Sequence, residues 1–324
     1  MSGGAQDGAG EGSDCPRVRP PRLRPGDRVA VVAPSGAVDP VRLESGCARL
    51  RKLGLDVVIG EHALERATLT GSARGPAGWY GLAGGDAERA ADLSAAWCDP
   101  DVRAVLCARG GYGATRVLPH LDWTALATAG PKLLHGSSDV TALHVALGSR
   151  LGLTTSFGPM IAGLVADGES RSMAHLEAAL SGDGAPVSGT RAIARGWSRG
   201  VLTGGNLSLL TALLGTPYAP APAAGGIAFL EDVAESPYRV DRMLTQLSQA
   251  GWFDAVAGVA LGSWTGCGDP AELQAVLTGR LRPLGVPVLA GLPVGHGREQ
   301  FTVELGGVVE LDADACTLAP CGGR

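Results

Sequence analysis

Short β-branched runs that end in glycine or proline alternate with helix-length amphipathic segments through the first half of this chain. No other feature restricts the fold as strongly. "RVAVVAPSG" is an apolar run ending in Pro-Ser-Gly, which reads as a buried strand feeding a turn. "PVRLESGCARLRKLG" has helical spacing and stops at a glycine, and "LDVVIG" reads as a second strand. "DAERAADLSAAWCDPD" is a helix with an acidic first turn, "VRAVLCARGGYG" a strand ending in glycines, "PKLLHG" the next strand and "DVTALHVALGSRLG" the helix after it. Strands and helices in this order imply a parallel sheet covered on both faces, an α/β fold.

The texture changes near residue 160. "VADGESRSMAHLEAALSGDGAPVSG" reads as a helix followed by a polar linker. Beyond it come the capped helix "GGNLSLLTALLGTP", the strand "GGIAFLED", the helix "SPYRVDRMLTQLSQAG" and the strand "AVAGVALGSW". "PAELQAVLTGRLRPLG" is helical, "VPVLAGLPVGHG" is a strand with a loop, and "TVELGGVVELDADACTLAP" reads as a terminal β-hairpin. A chain of 324 residues suits two medium domains. The expected layout is a Gly/Pro/Arg-rich disordered tail over 1–27, an N-terminal α/β domain over 28–180, a linker over 181–199 and a C-terminal domain over 200–324.

Composition excludes several function classes. Aromatic residues are 4% of the chain and the formal charge is −5, so neither a stacking platform nor a phosphate-backbone partner is expected: no nucleic acid. The seven cysteines include no Cys-x-x-Cys pair, which supports neither a zinc site nor a disulfide framework; most are expected as small core residues in a reducing compartment. No metal and no cofactor are expected. No run approaches the roughly 18 apolar residues of a membrane span, and the polar, acidic N-terminus lacks the apolar centre of a secretory signal. Cytoplasmic residence without a membrane partner is the expectation. Arg17, Arg19, Arg22, Arg24 and Arg28 lie among prolines, as a disordered tail or a basic docking arm.

Chemistry concentrates where strands end. In "PKLLHGSSDVTALHVAL" a strand, a turn at Gly136–Asp139 and a helix follow one another. A serine there protrudes beside the free N–H groups of the helix start, which can stabilise an oxyanion. The match to Gly-x-Ser-x-Gly is incomplete, because Val140 replaces the second glycine. The plainer alternative has Ser138 or Asp139 merely capping the helix. "CARGGYGATRVL" is a second glycine turn, but Arg116 stands where a dinucleotide fingerprint needs its last glycine. A glycine N–H here is a candidate second oxyanion donor. For a base, His296 lies between Gly295 and Gly297 after an apolar strand; His135 competes at the strand end before the elbow, and His144 falls on a helix. Glu231 ends a buried strand and is the candidate orienting acid, with Asp232 and Glu235 as neighbours.

Taken together, "VAVVAPSG", "RAADLSAAWCDPDVRAVLCARGGYGATRVLPHLD", "GSSDVTALH", "GGNLSLLTALLGTP", "LEDVAESPYRVDRML" and "LPVGHG" resemble the LD-carboxypeptidases. That serine peptidase family includes muramoyltetrapeptide carboxypeptidase and the microcin C self-immunity hydrolases. The resemblance runs from about Arg28 to Leu311. It implies a flavodoxin-like N-terminal domain carrying the nucleophile Ser138, not Ser137, and a smaller mixed α/β C-terminal domain carrying Glu231 and His296. Ser137 stands where the family usually has an aromatic residue. The implied oxyanion hole uses the backbone N–H of Asp139 and of a glycine in the Gly110-Gly111 pair, with Gly111 favoured. The implied substrate is a peptide with an L-to-D junction before a terminal D-alanine, in cell-wall recycling. Its free carboxylate calls for a cation, and Arg109, Arg239 and Arg242 are the candidates. The rival readings are a self-immunity hydrolase acting on peptidyl- or aminoacyl-nucleotide conjugates, with Trp252 or Trp264 as a purine platform, and a non-catalytic α/β binding protein. A homodimer is the family expectation.

Overall fold

The computed structural model describes residues 17–69, 81–164 and 171–321. In its first half, β1 (Arg28–Val32), β2 (Asp56–Ile59), β3 (Val102–Cys107), β4 (Leu133–Gly136) and β5 (Thr155–Phe157) run parallel in the order 2-1-3-4-5. This is the flavodoxin-like order. The helices between them are α1 (Pro40–Lys52), α2 (Asp86–Cys98), α3 (Ala114–Val117), α4 (Trp123–Ala129) and α5 (Thr141–Leu151), with α6 (Arg171–Ser181) after β5. They start where the chain supplies caps: Asp39 accepts from the N–H groups of Val41 and Arg42, and Asp122 from those of Thr124 and Ala125. Strands β1 and β3 are almost wholly buried, so they read as continuous apolar runs rather than alternating ones.

The second half supplies β6 (Val187–Ser188), β7 (Arg191–Ala194), β8 (Trp197–Asn206), β9 (Ile227–Val233), β10 (Gly258–Thr265), β11 (Val288–Ala290), β12 (Val303–Leu305), β13 (Val308–Asp312) and β14 (Thr317–Pro320). Helices α7 (Leu207–Leu213), α8 (Pro237–Gln249) and α9 (Pro270–Leu281) connect them. An eight-stranded mixed sheet results, in the order β6-β14-β13-β8-β9-β10-β11-β7, with β8 to β11 parallel.

Three expectations differ from the structure. Residues 181–199 are not a bare linker: β6 and β7 lie at the two ends of the second sheet, and β8 begins at Trp197. Val303–Leu305 does not join the terminal hairpin. It crosses back as β12 and pairs antiparallel with β5, closing the edge of the first sheet. Residues 17–27 are packed rather than disordered. The Val18 N–H donates to the Gly152 carbonyl at 2.7 Å, the Leu23 N–H donates to the Leu180 carbonyl at 3.0 Å, and the Leu23 side chain joins the core beneath α1. Arg19 meets Glu304 at 2.7 Å. Residues 1–16 lie outside the described residues.

Of the cysteines, Cys47, Cys107 and Cys267 are buried, whereas Cys98 is exposed. No helix among the described residues is long and apolar enough to cross a membrane.

The halves meet through side chains next to the catalytic candidates. Phe157 of β5 meets Phe229 of β9 edge-on, with centroids 5.2 Å apart. Gly205, at φ +141°, lets β8 press against α5, since a Cβ there would lie 2.7 Å from the Thr141 side chain. The Asn206 N–H then donates to Thr141 Oγ1 at 3.0 Å.

Candidate active site

Parallel strands deliver their loops to one edge, the C-terminal one, and both sheets use it here. The turn after β1 (Pro34–Gly36), the turn after β3 (Gly110–Gly113) and the elbow after β4 converge there. Ser138 has φ +57°, a left-handed conformation that costs a non-glycine residue free energy. The sharp turn this creates is what projects a side chain off the sheet edge. The first intrahelical bond of the following 3-10 turn is from Val140 N–H to the Ser137 carbonyl, 3.0 Å. The N–H groups of Ser138 and Asp139 therefore precede the hydrogen-bonded turn.

Gly110 lies directly against the serine. A Cβ at Gly110 would sit 2.9 Å from Ser138 Cβ and 3.1 Å from its Oγ. The Gly110 carbonyl accepts from the Gly36 N–H at 3.1 Å, which ties the β1 and β3 turns together. Gly111 follows at φ +110°.

Glu231 is fully buried in β9, and His296 stands on the loop after β11 with its side chain 24% exposed. Their Nδ1–Oε2 distance is 2.7 Å. An ionised carboxylate only accepts, so Nδ1 carries the proton and Nε2 is left as a lone-pair base. Burial pushes the Glu231 carboxyl above its usual range, against the opposing pull of His296. Burial also disfavours the His296 imidazolium, but the Glu231 hydrogen bond and charge, with Asp232, outweigh it and raise the histidine above its ordinary value.

Glu231 Oε1 accepts from Asn206 Nδ2 at 3.2 Å, and the same nitrogen donates to Asp232 Oδ1 at 2.9 Å. Asp232 Oδ2 in turn accepts from the N–H and the hydroxyl of Ser208 at 3.0 and 2.7 Å. Asn206 thus touches Thr141 of the elbow helix through its backbone and Glu231 through its side chain. A continuous hydrogen-bonded chain runs Thr141–Asn206–Glu231–His296 across the two halves. Among the described residues no hydrogen bond joins Ser138 directly to His296. Such bonds are often long in the absence of substrate.

The competing bases are occupied. His135 is enclosed, with Nδ1 2.9 Å from Ser156 Oγ and Nε2 2.8 Å from the Pro159 carbonyl. His144 is held likewise by Thr155 Oγ1 and the Gly136 carbonyl at 2.8 and 2.9 Å. Burial lowers both to about 4, so they are neutral structural groups. Arg109 lies just past the end of β3, and Arg239 and Arg242 lie on α8. Arg109 precedes Gly110 and donates to the Ala37 carbonyl at 2.6 Å. Arg239 pairs with Glu235 at 3.5 Å, and Arg242 lies 5.8 Å from the centre of the Tyr238 ring.

Trp252 is buried in the core of the second half and is no stacking platform. A cavity of about 230 Å³ opens elsewhere, between Arg19–Arg22, Thr154–Ser156 and Val308–Val309, and contains none of Ser138, Glu231 and His296. Among the described residues no cluster of histidine, cysteine and carboxylates is placed to hold a metal ion.

Comparison with known proteins adds independent findings. Residues 29–158 match the family described as LD-carboxypeptidase N-terminal domain, and residues 199–311 match its C-terminal domain. A putative carboxypeptidase of Streptomyces coelicolor is 50% identical over 307 residues, covering 93% of this chain and 95% of that protein. The crystal structure of muramoyltetrapeptide carboxypeptidase from Oxalobacter formigenes superposes with a TM-score of 0.76 at 30% identity, covering 90% of this chain and 97% of that one. An MccF-like protein from Bacillus anthracis shares the fold, with a TM-score of 0.82 at 24% identity and coverage of 94% and 100%.

Proposed function

The chain belongs to the LD-carboxypeptidase family, and on that premise we propose that it is a serine carboxypeptidase that hydrolyses an L,D-peptide bond, releasing the terminal D-alanine of murein tetrapeptides in cell-wall recycling. The observation that carries the reading is the 2.7 Å contact between His296 and the buried Glu231, linked through Asn206 and Thr141 to the helix that follows Ser138. A hydrolase uses an imidazole held by a buried carboxylate and tied to the helix that follows a serine in a left-handed turn; a binding protein does not require one.

In this reading His296 Nε2 takes the proton of Ser138 as its oxygen attacks the carbonyl carbon of the scissile bond. Glu231 holds the tautomer and stabilises the imidazolium. The carbonyl oxygen becomes an oxyanion that faces the N–H groups of Asp139 and Gly111. His296 then gives its proton to the leaving D-alanine nitrogen. A water, deprotonated by the same imidazole, attacks the acyl-enzyme and returns the serine. Arg109, Arg239 and Arg242 are the cations offered to the substrate carboxylate, Arg242 having no ion-pair partner among the described residues. Homodimeric assembly and cytoplasmic residence complete the proposal.

The test is mass spectrometry of the products from a D-alanine-terminated tetrapeptide and, in parallel, an aminoacyl-nucleotide analogue. Release of D-alanine supports the reading. Cleavage of the nucleotide conjugate alone replaces it with a self-immunity activity, a reading supported by the 27% identity over 264 residues to the microcin C7 self-immunity protein of Escherichia coli. No turnover of either, and no serine acylation, ends the hydrolase interpretation.

A further inference from the structure

Arg89 sits on the inward face of α2 with its side chain wholly enclosed. A guanidinium is rarely buried without partners, and that of Arg89 has them on both Nη atoms but not on Nε. Its Nη1 donates to the carbonyl of Pro34 and, at 2.9 Å, to that of Gly113, and its Nη2 meets Asp86. Asp86 is shared with Arg116, 2.7 Å away, so one carboxylate serves two guanidinium groups there. The second anion of the cluster is Asp139, the residue after Ser138, which is 2% exposed. Its Oδ2 accepts from the Ala114 N–H at 2.7 Å. The peptide between Gly113 and Ala114 is therefore held from both sides, its carbonyl by Arg89 and its N–H by Asp139. The next turn repeats the pattern more loosely: Arg89 holds the Pro34 carbonyl, and the Ser35 hydroxyl lies beside the Asp139 carboxylate outside good hydrogen-bonding geometry.

A carboxylate enclosed one residue from the nucleophile opposes an oxyanion forming beside it, unless a cation balances it. Burial pushes Asp139 upward, and Ser35, the Ala114 N–H and the Arg89 charge pull against it. Arg89 is thus a buried cation joined to this carboxylate through the Gly113–Ala114 peptide, placed to offset its charge while fixing the turns after β1 and β3.

We infer that Arg89 is a positioning residue for catalysis: acting through the Gly113–Ala114 and Pro34–Ser35 peptides, it sets the Gly110–Gly113 turn and the Asp139 carboxylate so that the N–H groups beside Ser138 present an uncancelled positive field to the oxyanion. The inference rests on the serine-peptidase reading above. It predicts a defect in the transition state rather than in substrate binding.

The experiment measures the rate at which a fluorophosphonate probe labels Ser138, since phosphonylation uses the same nucleophile and oxyanion donors whatever the natural substrate. Tetrapeptide kinetics are followed in parallel. Arg89→Met should label about 10²-fold more slowly, as for loss of one oxyanion donor, with kcat falling alike and KM nearly unchanged. Arg89→Lys should lose less, because it keeps the charge without the planar fork. Removing both charges in Arg89→Met/Asp139→Asn should label faster than Arg89→Met alone. If Arg89→Met does not fold, Arg89→Lys carries the test, with at least a roughly tenfold fall in kcat expected at constant KM. Wild-type labelling rates in the Arg89 variants, or a loss that appears only in KM, overturn the inference and leave the hydrolase reading standing. A wild-type protein unlabelled at Ser138 overturns both.

Discussion

His296 Nδ1 lies 2.7 Å from Oε2 of Glu231, a carboxylate with no exposure to solvent. The contact raises the imidazole above its ordinary value despite its burial. A base acts only when neutral, so kcat/KM should rise with pH and level off above the histidine's raised pKa, giving an acid limb above pH ~6.5. In Glu231→Gln the raising partner is gone. The limb should move to lower pH while the plateau falls by about 10⁴, as expected when the orienting acid of a triad loses its charge. A pH–rate profile of both proteins checks this; a limb that stays in place removes Glu231 from control of the base.

Ser138 combines chemistry with strain, and two substitutions separate them. Ser138→Ala should lower kcat on the order of 10⁶, while Ser137→Ala keeps most activity. At φ +57°, alanine retains the backbone cost and glycine relieves it. Ser138→Gly should be inactive too, yet more stable than Ser138→Ala by about 1 kcal/mol. Urea denaturation of the two inactive variants measures the difference. Equal stabilities would mean that the elbow stores no strain.

Gly110→Ala tests how closely the oxyanion turn approaches the nucleophile. The new Cβ would meet Ser138 Cβ at 2.9 Å, so either the turn or the serine must move. Because a displacement near 1 Å costs on the order of 10² in rate, kcat should fall about that much with the fold intact. Unchanged kcat would show that the turn yields freely and does not set the serine's position.

What was legible in the sequence follows from where turn chemistry is local. The strand ends that carry Ser138, Glu231 and His296 are readable from the apolar runs and glycines near them, but the stretch around Ser138 also reads as a plain helix cap, and the choice of Ser138 over Ser137 comes from the family resemblance. Arg89 and Asn206 are not readable in this way. Arg89 falls within an amphipathic helix where arginine ordinarily faces water, and only the Pro34, Gly113 and Asp86 contacts give it a role. Asn206 looks like a plain helix cap, and it does accept from the Leu209 N–H at 3.2 Å; its bond to Glu231 depends on β9 lying alongside β8. Strand β12 misleads for a related reason. "TVEL" alternates as well in a hairpin as across a domain junction, and period two carries no information about the partner.

Asn206→Ala should therefore cost more than a cap. Losing the bond to Leu209 is worth about 1 kcal/mol, and leaving Glu231 and Asp232 short of a donor in the interior adds about 1–3 kcal/mol. Chemical denaturation should show a loss of about 2–4 kcal/mol, with reduced kcat because Glu231 is free to turn from His296. A loss within ~0.5 kcal/mol, the level of an ordinary surface change, would show that water replaces the amide at no cost.

The Arg/Pro segment before β1 offers the sharpest contrast between composition and packing. Its charges and prolines read as solvated chain, yet Leu23 is 6% exposed within the core beneath α1, and Val18 bridges to Leu153. The buried Leu23 side chain anchors it, and the backbone adds bonds from Val18 to Gly152 and from Leu23 to Leu180, while the Val18 side chain stays exposed. Leu23→Ala should lower stability by about 2–3 kcal/mol, the cost of truncating a buried leucine. Exchanging Arg24, on the exposed face of the same segment, for alanine should change it by less than ~0.5 kcal/mol. Thermal and urea melts of the pair decide the matter: equal behaviour would mean that the segment behaves as a free tail in solution and the core is complete without it.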